Sequence, residues 1–383
     1  MQVKQQYDVA IIGGGLAGLA CAIQVSRAGH SVVLFEKEKY PFHKVCGEYV
    51  SMESWNFLQQ LGVPLCDMRL PLINTLFLSA PNGKSFTTKL PLGGFGISRY
   101  VLDNQLAEIA KQNGVVILEA TKVEEVHFQD VFQIQFSSHL AKQREITAKV
   151  CCGAYGKRSN LDIKWKRAFL TQQDKKYNNQ VGIKYHIKTK WKENVIGLHN
   201  FENGYCGISK IEDDRYCLCY MVKSDKLKQC NGDIEQLETT ILKQNPHLMK
   251  IWEEREVVMD FPISISQINF TKKAQVENHI LMLGDAAGMI TPLCGNGMSI
   301  ALQTGKISAR LINQFLINAI SRSHMEANYS QQWRQHFAGR MKAGRALQRY
   351  FGSSRLSGAF VNLLNTLPFL ADPVVKLTHG KPF

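Results

Sequence analysis

The chain has 383 residues, enough for two or three compact units rather than one. Its 45% hydrophobic content fills a large core and excludes extended disorder. A net charge of +14 asks for an anionic partner. No recognition motif interleaves basic and aromatic residues, so nucleic acid is set aside in favour of an anionic cofactor or an anionic surface.

In chain order, Val9-Ala10-Ile11-Ile12 is an apolar, β-branched run of the kind buried on both faces of a parallel sheet. It breaks at Gly13-Gly14-Gly15 and Leu16-Ala17-Gly18. A small apolar helix follows over 19–28, then a second buried strand over 31–35 that closes on Glu36. Strand, G-x-G-x-x-G, helix, strand and acid make one βαβ dinucleotide unit. Gly13 allows the tight turn, Gly15 lets the backbone approach a pyrophosphate, and Gly18 lets helix and strand pack closely. The helix N-terminus offers free N–H groups to the phosphates, and Glu36 stands where a carboxylate takes ribose hydroxyls.

The loop 37–48 carries Lys37 and then Lys44-Val45-Cys46-Gly47-Glu48. Ser51 caps a helix that runs to Leu61 and stops at Gly62. Strands at 72–79 and 84–90, around Pro81-Asn82-Gly83-Lys84, predict a hairpin. Ile97-Ser98-Arg99 leads into an amphipathic helix over 100–113, and 115–118 is another buried strand. Residues 121–136 alternate as paired antiparallel strands do, and 146–152 return to the core. From about 161 to 270, Lys- and Tyr-rich alternating segments at 181–188, 196–201, 205–210 and 215–222 predict an antiparallel sheet with one wet face. A helix at 233–244 and a strand at 256–261 follow. The strand 279–283 resumes the first unit and delivers Gly284-Asp285-Ala286-Ala287-Gly288. Pro292 to Gly297 forms a turn, 298–318 a long helix, and the tail from Tyr329 is helical with an apolar last part, 360–377.

Ten cysteines show no C-x-x-C pair and no ligand spacing. They are read as small core residues of a reducing compartment, and no metal site is expected. There is no basic-then-apolar leader, and no apolar run reaches the ~18 residues of a spanning helix. The expectation is a cytoplasmic protein. Arg322, Arg334, Arg340, Lys342, Arg345, Arg349 and Arg355 give the C-terminal region either a solvated helix face or a peripheral contact with a membrane.

Three separated segments resemble one superfamily, the aromatic-hydroxylase-like flavoproteins (class A monooxygenases and their relatives). The first is the dinucleotide unit. The second, Cys151-Cys152-Gly153-Ala154-Tyr155-Gly156-Lys157-Arg158-Ser159, resembles the G-A-D-G-x-x-S strand and turn. The third, Gly284 to Gly288 with Pro292 and Gly295-Asn296-Gly297-Met298, resembles G-D-A-A-G…P…G-x-G. Order and spacing match over essentially the whole chain. Within the superfamily, Lys44 to Glu48 looks like the K-x-C-G-[EG] segment of the geranylgeranyl reductase family and related flavoprotein dehydrogenases. Gly288 agrees, because aromatic hydroxylases usually carry His there.

The resemblance implies an α/β fold: a Rossmann-type FAD-binding domain with an inserted antiparallel-sheet substrate domain and a helical C-terminal tail. The expected division is 1–70, 97–160 and 275–318 for FAD, 71–96 and 161–274 for substrate, and 319–383 for the helical region. It implies FAD held by Gly13, Gly15, Gly18, Glu36, Lys37, Lys44, Arg99, Gly284, Asp285, Pro292, Gly295, Asn296, Gly297 and Met298. Asp285 would accept from a ribityl hydroxyl. The helix opened by 295–297 would point its dipole at the flavin edge where negative charge gathers on reduction. Arg99 either contacts the cofactor or caps a surface helix. Cys46, the catalytic candidate, lines the cavity, assists proton delivery or is simply a packed thiol.

The implied activity has two half-reactions. NAD(P)H or another donor, bound transiently because no second G-x-G-x-x-G exists, reduces FAD; the reduced flavin then delivers hydride to an unsaturated bond of a hydrophobic, isoprenoid- or lipid-like substrate. The alternative is an FAD-dependent monooxygenase that hydroxylates an aromatic or phenolic-lipid substrate through a flavin hydroperoxide, with NAD(P)H as reductant. The chain also departs from its relatives. Tyr155 stands where Asp is usual, the P-x-x-Y-x-W-x-F-P segment of prenyl reductases is missing, and no W-x-W-x-I-P supports flavin halogenation. His43, His186 and His199 are either acid–base groups or structural. Trp191, Tyr185, Phe201 and Tyr205 either line an apolar pocket or fill a core.

Overall fold

The computed structural model describes residues 5–138, 141–171, 179–268, 270–348 and 351–383; Arg349 and the first four residues lie outside them. The centre of the first sheet is parallel, in the order Ile280–Met282, Ala141–Gly153, Gln6–Ile12, Val32–Phe35, Val116–Leu118. The runs 9–12 and 32–35 at its centre are apolar throughout because both faces are covered: Val9, Ala10, Ile11, Val33 and Leu34 are fully buried. Leu16–Arg27 packs against Gly297–Leu316 on this sheet. Thr121–Phe128 and Phe132–Ser138 continue it as an antiparallel meander, as the alternation at 121–136 predicts. The tail helix Arg322–Gln348 drives Met325, Tyr329, Trp333, Phe337 and Met341 into the same core.

The second sheet has nine strands among the described residues. It runs Glu256–Val257, Gln180–Lys188, Tyr216–Lys223, Gly204–Lys210, Val195–Phe201, Leu72–Ser79, Ser85–Gly96, Tyr49–Ser51, with Ile263–Ile268 also on Gln180–Lys188. All pairs are antiparallel except Val195–Phe201 beside Leu72–Ser79. The expected wet face does not exist on its central strands. Ile183, Tyr185 and Ile187 face a layer of Leu237, Leu248, Ile251 and Trp252. Gly182 and Lys184, of opposite parity, meet Val45 and the Lys44 carbonyl of the 37–48 loop.

Two elements differ from expectation. The helix at 233–244 ends at Thr240, and after a 3₁₀ turn at Leu242–Gln244 a new helix, Pro246–Glu254, begins. The Asn245 side chain accepts from the His247 N–H and Pro246 occupies the first turn, a strong start signal. The strand at 256–261 is only Glu256–Val257, because Pro262 separates it from Ile263–Ile268. At the C-terminus, Ser354–Thr366 and Ala371–Thr378 pack Val361, Leu364 and Ala371 on Leu78, Ala80 and Phe86 of the second sheet.

His199 is a core residue of that sheet, fully buried, with Nδ1 2.9 Å from Ser79 Oγ. Burial, with the neighbouring His247, lowers its pKa to about 3. In the unfolded chain it protonates near 6.5, so its contribution is full above that and is lost as pH falls towards 3. Chemical denaturation at pH 7 and pH 4 is expected to show an acid loss that His199→Phe reduces by about 3 kcal/mol.

Candidate cofactor site

Gly13 follows the first strand with φ of 110°, and a Cβ there would lie 2.5 Å from the Ala154 carbonyl oxygen. At Gly18 a Cβ would lie 2.1 Å from the Gly13 carbonyl oxygen. Both glycines therefore serve close packing. Gly15 precedes the helix Leu16–Arg27, and the atoms nearest its Cβ position are Arg99 Nη2 at 3.7 Å and Lys44 Nζ at 3.8 Å. Two cations thus stand over a helix N-terminus, the arrangement that receives a phosphate.

Asp103 aims them. Arg99 opens the helix Arg99–Gln112, which Ser98 caps by accepting the Val101 N–H. One turn on, the Asp103 carboxylate accepts from Arg99 Nε and Nη2, both at 2.7 Å, and from Lys44 Nζ at 3.0 Å. Burial works to raise the Asp103 pKa, but Arg99 and Lys44 outweigh it and hold the carboxyl below its ordinary range. Arg99 is thus a pre-oriented, largely buried cation rather than a surface cap.

Glu36 is buried at the end of the second strand and accepts from the Gly14 N–H at 2.9 Å and the Glu38 N–H at 3.1 Å. Lys37 is not brought to this cradle; its exposed ammonium lies 3.8 Å from Glu38. On the other side, the strand Ile280–Met282 delivers Gly284 and Asp285. The Gly284 N–H donates to Thr304 Oγ1 at 2.9 Å, tying the motif to the long helix. The Asp285 side chain accepts no hydrogen bond from the described residues, and burial raises its pKa, although Lys273, Arg99 and Lys157 bear on it electrostatically. A carboxylate so placed has acceptor capacity left for a hydroxyl. Pro292–Cys294, Gly295 with φ of 66° and the buried Asn296 then lead into the helix Gly297–Leu316, with Met298 buried in its first turn. A Cβ at Gly295 would lie 3.0 Å from the Tyr49 ring, so the segment from Lys44 to Tyr49 runs between the phosphate cradle and this second helix N-terminus. Glu36, Gly15 with its cations, Asp285 and the turn 295–298 form one path, and their donors and acceptors fit FAD.

Two constellations escaped the sequence reading. Glu48, fully buried with φ of 55°, pairs with the fully buried Lys184 and, through Oε2, with His186 Nε2 at 2.6 Å. Its Oε1 also accepts from the Arg99 N–H at 2.8 Å, and Lys184 Nζ donates to the Lys44 carbonyl at 3.1 Å. The network therefore fixes the backbone of both cradle cations. Cys217 completes a group close enough to share an ion with Glu48 and His186. Lys184 supplies the positive charge there, and the Cys217 thiol, its pKa pushed up by burial, donates to the Cys46 carbonyl at 3.2 Å. His43 joins the edge of the network, its ring 5.1 Å from His186 and 4.6 Å from Tyr100.

The second is Arg167, buried, donating to Asp162 at 3.0 Å, the Ala286 carbonyl at 3.1 Å and the Ala274 carbonyl at 2.9 Å. The Tyr155 hydroxyl donates to the same Asp162 at 2.7 Å. The Tyr in place of the usual Asp thus belongs to a clamp on the Gly284–Gly288 turn.

The FAD binding domain family matches residues 6–318 of this chain. Conditioned medium factor receptor 1 of Dictyostelium discoideum is 27% identical over 353 residues, covering 86% of this chain and 68% of that protein. Digeranylgeranylglycerophospholipid reductase of Methanococcus vannielii is 24% identical over 351 residues, 89% of this chain and 83% of that protein. Among solved structures, a flavin-dependent brominase superposes with a TM-score of 0.76 at 21% identity, over 97% of this chain and 93% of its own; at that identity the likeness is one of fold. With a family match across the whole two-cation cradle and both glycine turns, the chain belongs to the FAD binding domain family and is an FAD-dependent oxidoreductase.

Proposed function

We propose that this flavoenzyme adds hydrogen across an unsaturated bond of a hydrophobic, isoprenoid- or lipid-like substrate, with NAD(P)H or another donor visiting transiently. One observation carries the reading. An apolar cavity, open to solvent, lies between the second sheet and the C-terminal helices and reaches Leu293, Gly295 and Tyr49 at the cofactor turn. Its walls are aliphatic and aromatic, with Leu76, Leu90, Ile196 and Leu198 from the sheet and Phe360 and Leu364 from the helices. Such a cavity suits a long apolar chain and offers a charged substrate little, Thr88 and His379 being polar side chains in a wall otherwise mostly apolar. None of Trp191, Tyr185, Phe201 or Tyr205 lines it; they pack in the cores on either side.

FAD, when bound, supplies the hydride chemistry. The chain's own residues would do the rest. Arg99 and Lys44 would hold the pyrophosphate, Glu36 the ribose and Asp285 the ribityl chain, while the N-terminus of Gly297–Leu316 would favour negative charge at the cavity's inner end. An apolar substrate seated against this wall would displace water from the reacting bond. Cys46, half-buried, accepts the Glu48 N–H at 3.5 Å, and burial pushes its thiol pKa up. It would therefore carry its proton at neutral pH, the state of a proton donor. The similarity to an archaeal prenyl-lipid reductase supports the same substrate class.

The test reduces the holoenzyme with dithionite and offers geranylgeraniol. A product heavier by two hydrogens is expected. A gain of one oxygen when air is admitted would replace the reading with monooxygenation. In the same assay Leu76→Trp, which fills the cavity from one wall, is expected to keep the FAD spectrum and to lower kcat/KM about tenfold or more.

A further inference from the structure

The roof of the cavity has an outer face. Val361, Leu364, Ala371 and Val375 of the two C-terminal helices point inwards and are buried. Leu356, Leu363 and Leu367 recur at helical spacing on the other side, 36–46% exposed, and beyond the bend Phe369 and Leu377 stand 69% and 61% exposed. The apolar arc of these helices is wider than the protein covers. A contiguous run of large exposed apolar residues on a folded chain marks a contact surface.

Charge says what it contacts. Residues 322–383 carry nine Lys or Arg against two Asp or Glu, a net of +7 out of +14 for the whole chain. Arg355 and Lys376, both exposed, flank Leu356 and Leu377 directly. Apolar side chains bordered by cations suit an anionic lipid surface, where each cation near the headgroups is worth about 1 kcal/mol. The helices have 13 and 8 residues and bend by 110° between them. At 1.5 Å per residue they measure about 20 Å and 12 Å. Neither crosses the ~30 Å of a hydrocarbon core, and their inner faces are already seated on the second sheet, so the geometry is that of helices lying in the interface.

We propose that Ser354–Thr366 and Ala371–Thr378 dock this enzyme on an anionic membrane. There, the same two helices form the partition between bilayer and cavity, so that an apolar substrate passes from lipid to cofactor without crossing water. The passage rests on the lipid-substrate reading; the docking does not.

The test is flotation of the FAD-loaded protein with vesicles, without any substrate. Vesicles of phosphatidylcholine with about one-third phosphatidylglycerol are expected to carry the wild type up, and pure phosphatidylcholine far less. Phe369→Ser combined with Leu377→Ser is expected to weaken binding at least tenfold, with the FAD spectrum and melting temperature unchanged because both side chains are exposed. Equal flotation of the double variant, or no flotation of the wild type with anionic vesicles, would overturn the proposal. So would a dimer in ultracentrifugation that the same substitutions abolish, which would assign the patch to a second copy. A protein that floats normally yet leaves geranylgeraniol unreduced would refute only the function above.

Discussion

Gly15→Ala is expected to purify as a folded, colourless protein. The backbone permits the change, since Gly15 has φ of −86° and its Cβ would meet no atom nearer than 3.7 Å. What that methyl group enters is the space between Arg99 Nη2 and Lys44 Nζ at the helix N-terminus, where a pyrophosphate must approach the backbone. A weakening of FAD binding by about a hundredfold or more is expected, which is about 2.7 kcal/mol. Gly18→Ala makes the contrast. Its Cβ would sit 2.1 Å from the Gly13 carbonyl oxygen, so the helix must shift off the sheet and stability falls by about 1–3 kcal/mol or more. Flavin absorbance after gel filtration, read beside a thermal melt, separates the two. A yellow Gly15→Ala protein with wild-type FAD affinity would remove the phosphate from the cradle proposed for it.

That contrast also marks how far the sequence could be read. The glycine roles, the buried runs at 9–12 and 31–35 and the alternation at 121–136 are local patterns, and local patterns determine parallel core strands and hairpins well. The second helix start at Asn245-Pro246 was equally local, a cap residue followed by proline. Lys184 and His186 were not legible in the same sense. In an alternating strand Lys184 reads as part of a solvated face, and His186 as either an acid–base group or a structural residue with no partner in view; only the loop that carries Glu48, more than 130 residues earlier, buries and pairs them. No periodicity links residues so far apart. The pairing of Tyr49–Ser51, a segment expected in the cofactor domain, with the sheet of residues 72–96 and 180–268 is likewise a tertiary fact, and it brings Tyr49 to the wall of the cavity at the cofactor turn. Tyr155 looked like a defect in a motif until Asp162 and Arg167 stood beside it.

Glu48→Gln is expected to have the other large effect, with a pH signature. In the wild type, burial works to raise the Glu48 pKa, but the His186 hydrogen bond and the Lys184 ammonium outweigh it and hold the carboxyl below its ordinary value. Burial likewise works to lower the Lys184 pKa, and Glu48 outweighs it and raises the ammonium above its ordinary value. The carboxylate's contribution is therefore present above the unfolded value near 4.3 and lost as pH falls through the depressed folded value; the ammonium's is present below about 10.4 and lost as pH rises through the elevated one. Between those limits wild-type stability is flat with respect to this pair. Glutamine keeps the shape, and its Oε1 can still accept the Arg99 N–H, but it leaves the ammonium buried without a counter-charge, a loss of about 3–5 kcal/mol. The Lys184 pKa then falls below its unfolded value, the unfolded chain binds the extra proton, and stability must rise with pH from about 7 to 10. Denaturant titrations across that window check the slope. Lys184→Met added to Glu48→Gln is expected to flatten it and to recover most of the loss, because the unpaired charge is gone. Since Lys184 holds the Lys44 carbonyl and Glu48 holds the Arg99 N–H, FAD release is expected to quicken in the single variant. A flat profile with wild-type FAD release would mean that the cradle cations keep their places without this network, with Asp103 alone aiming them.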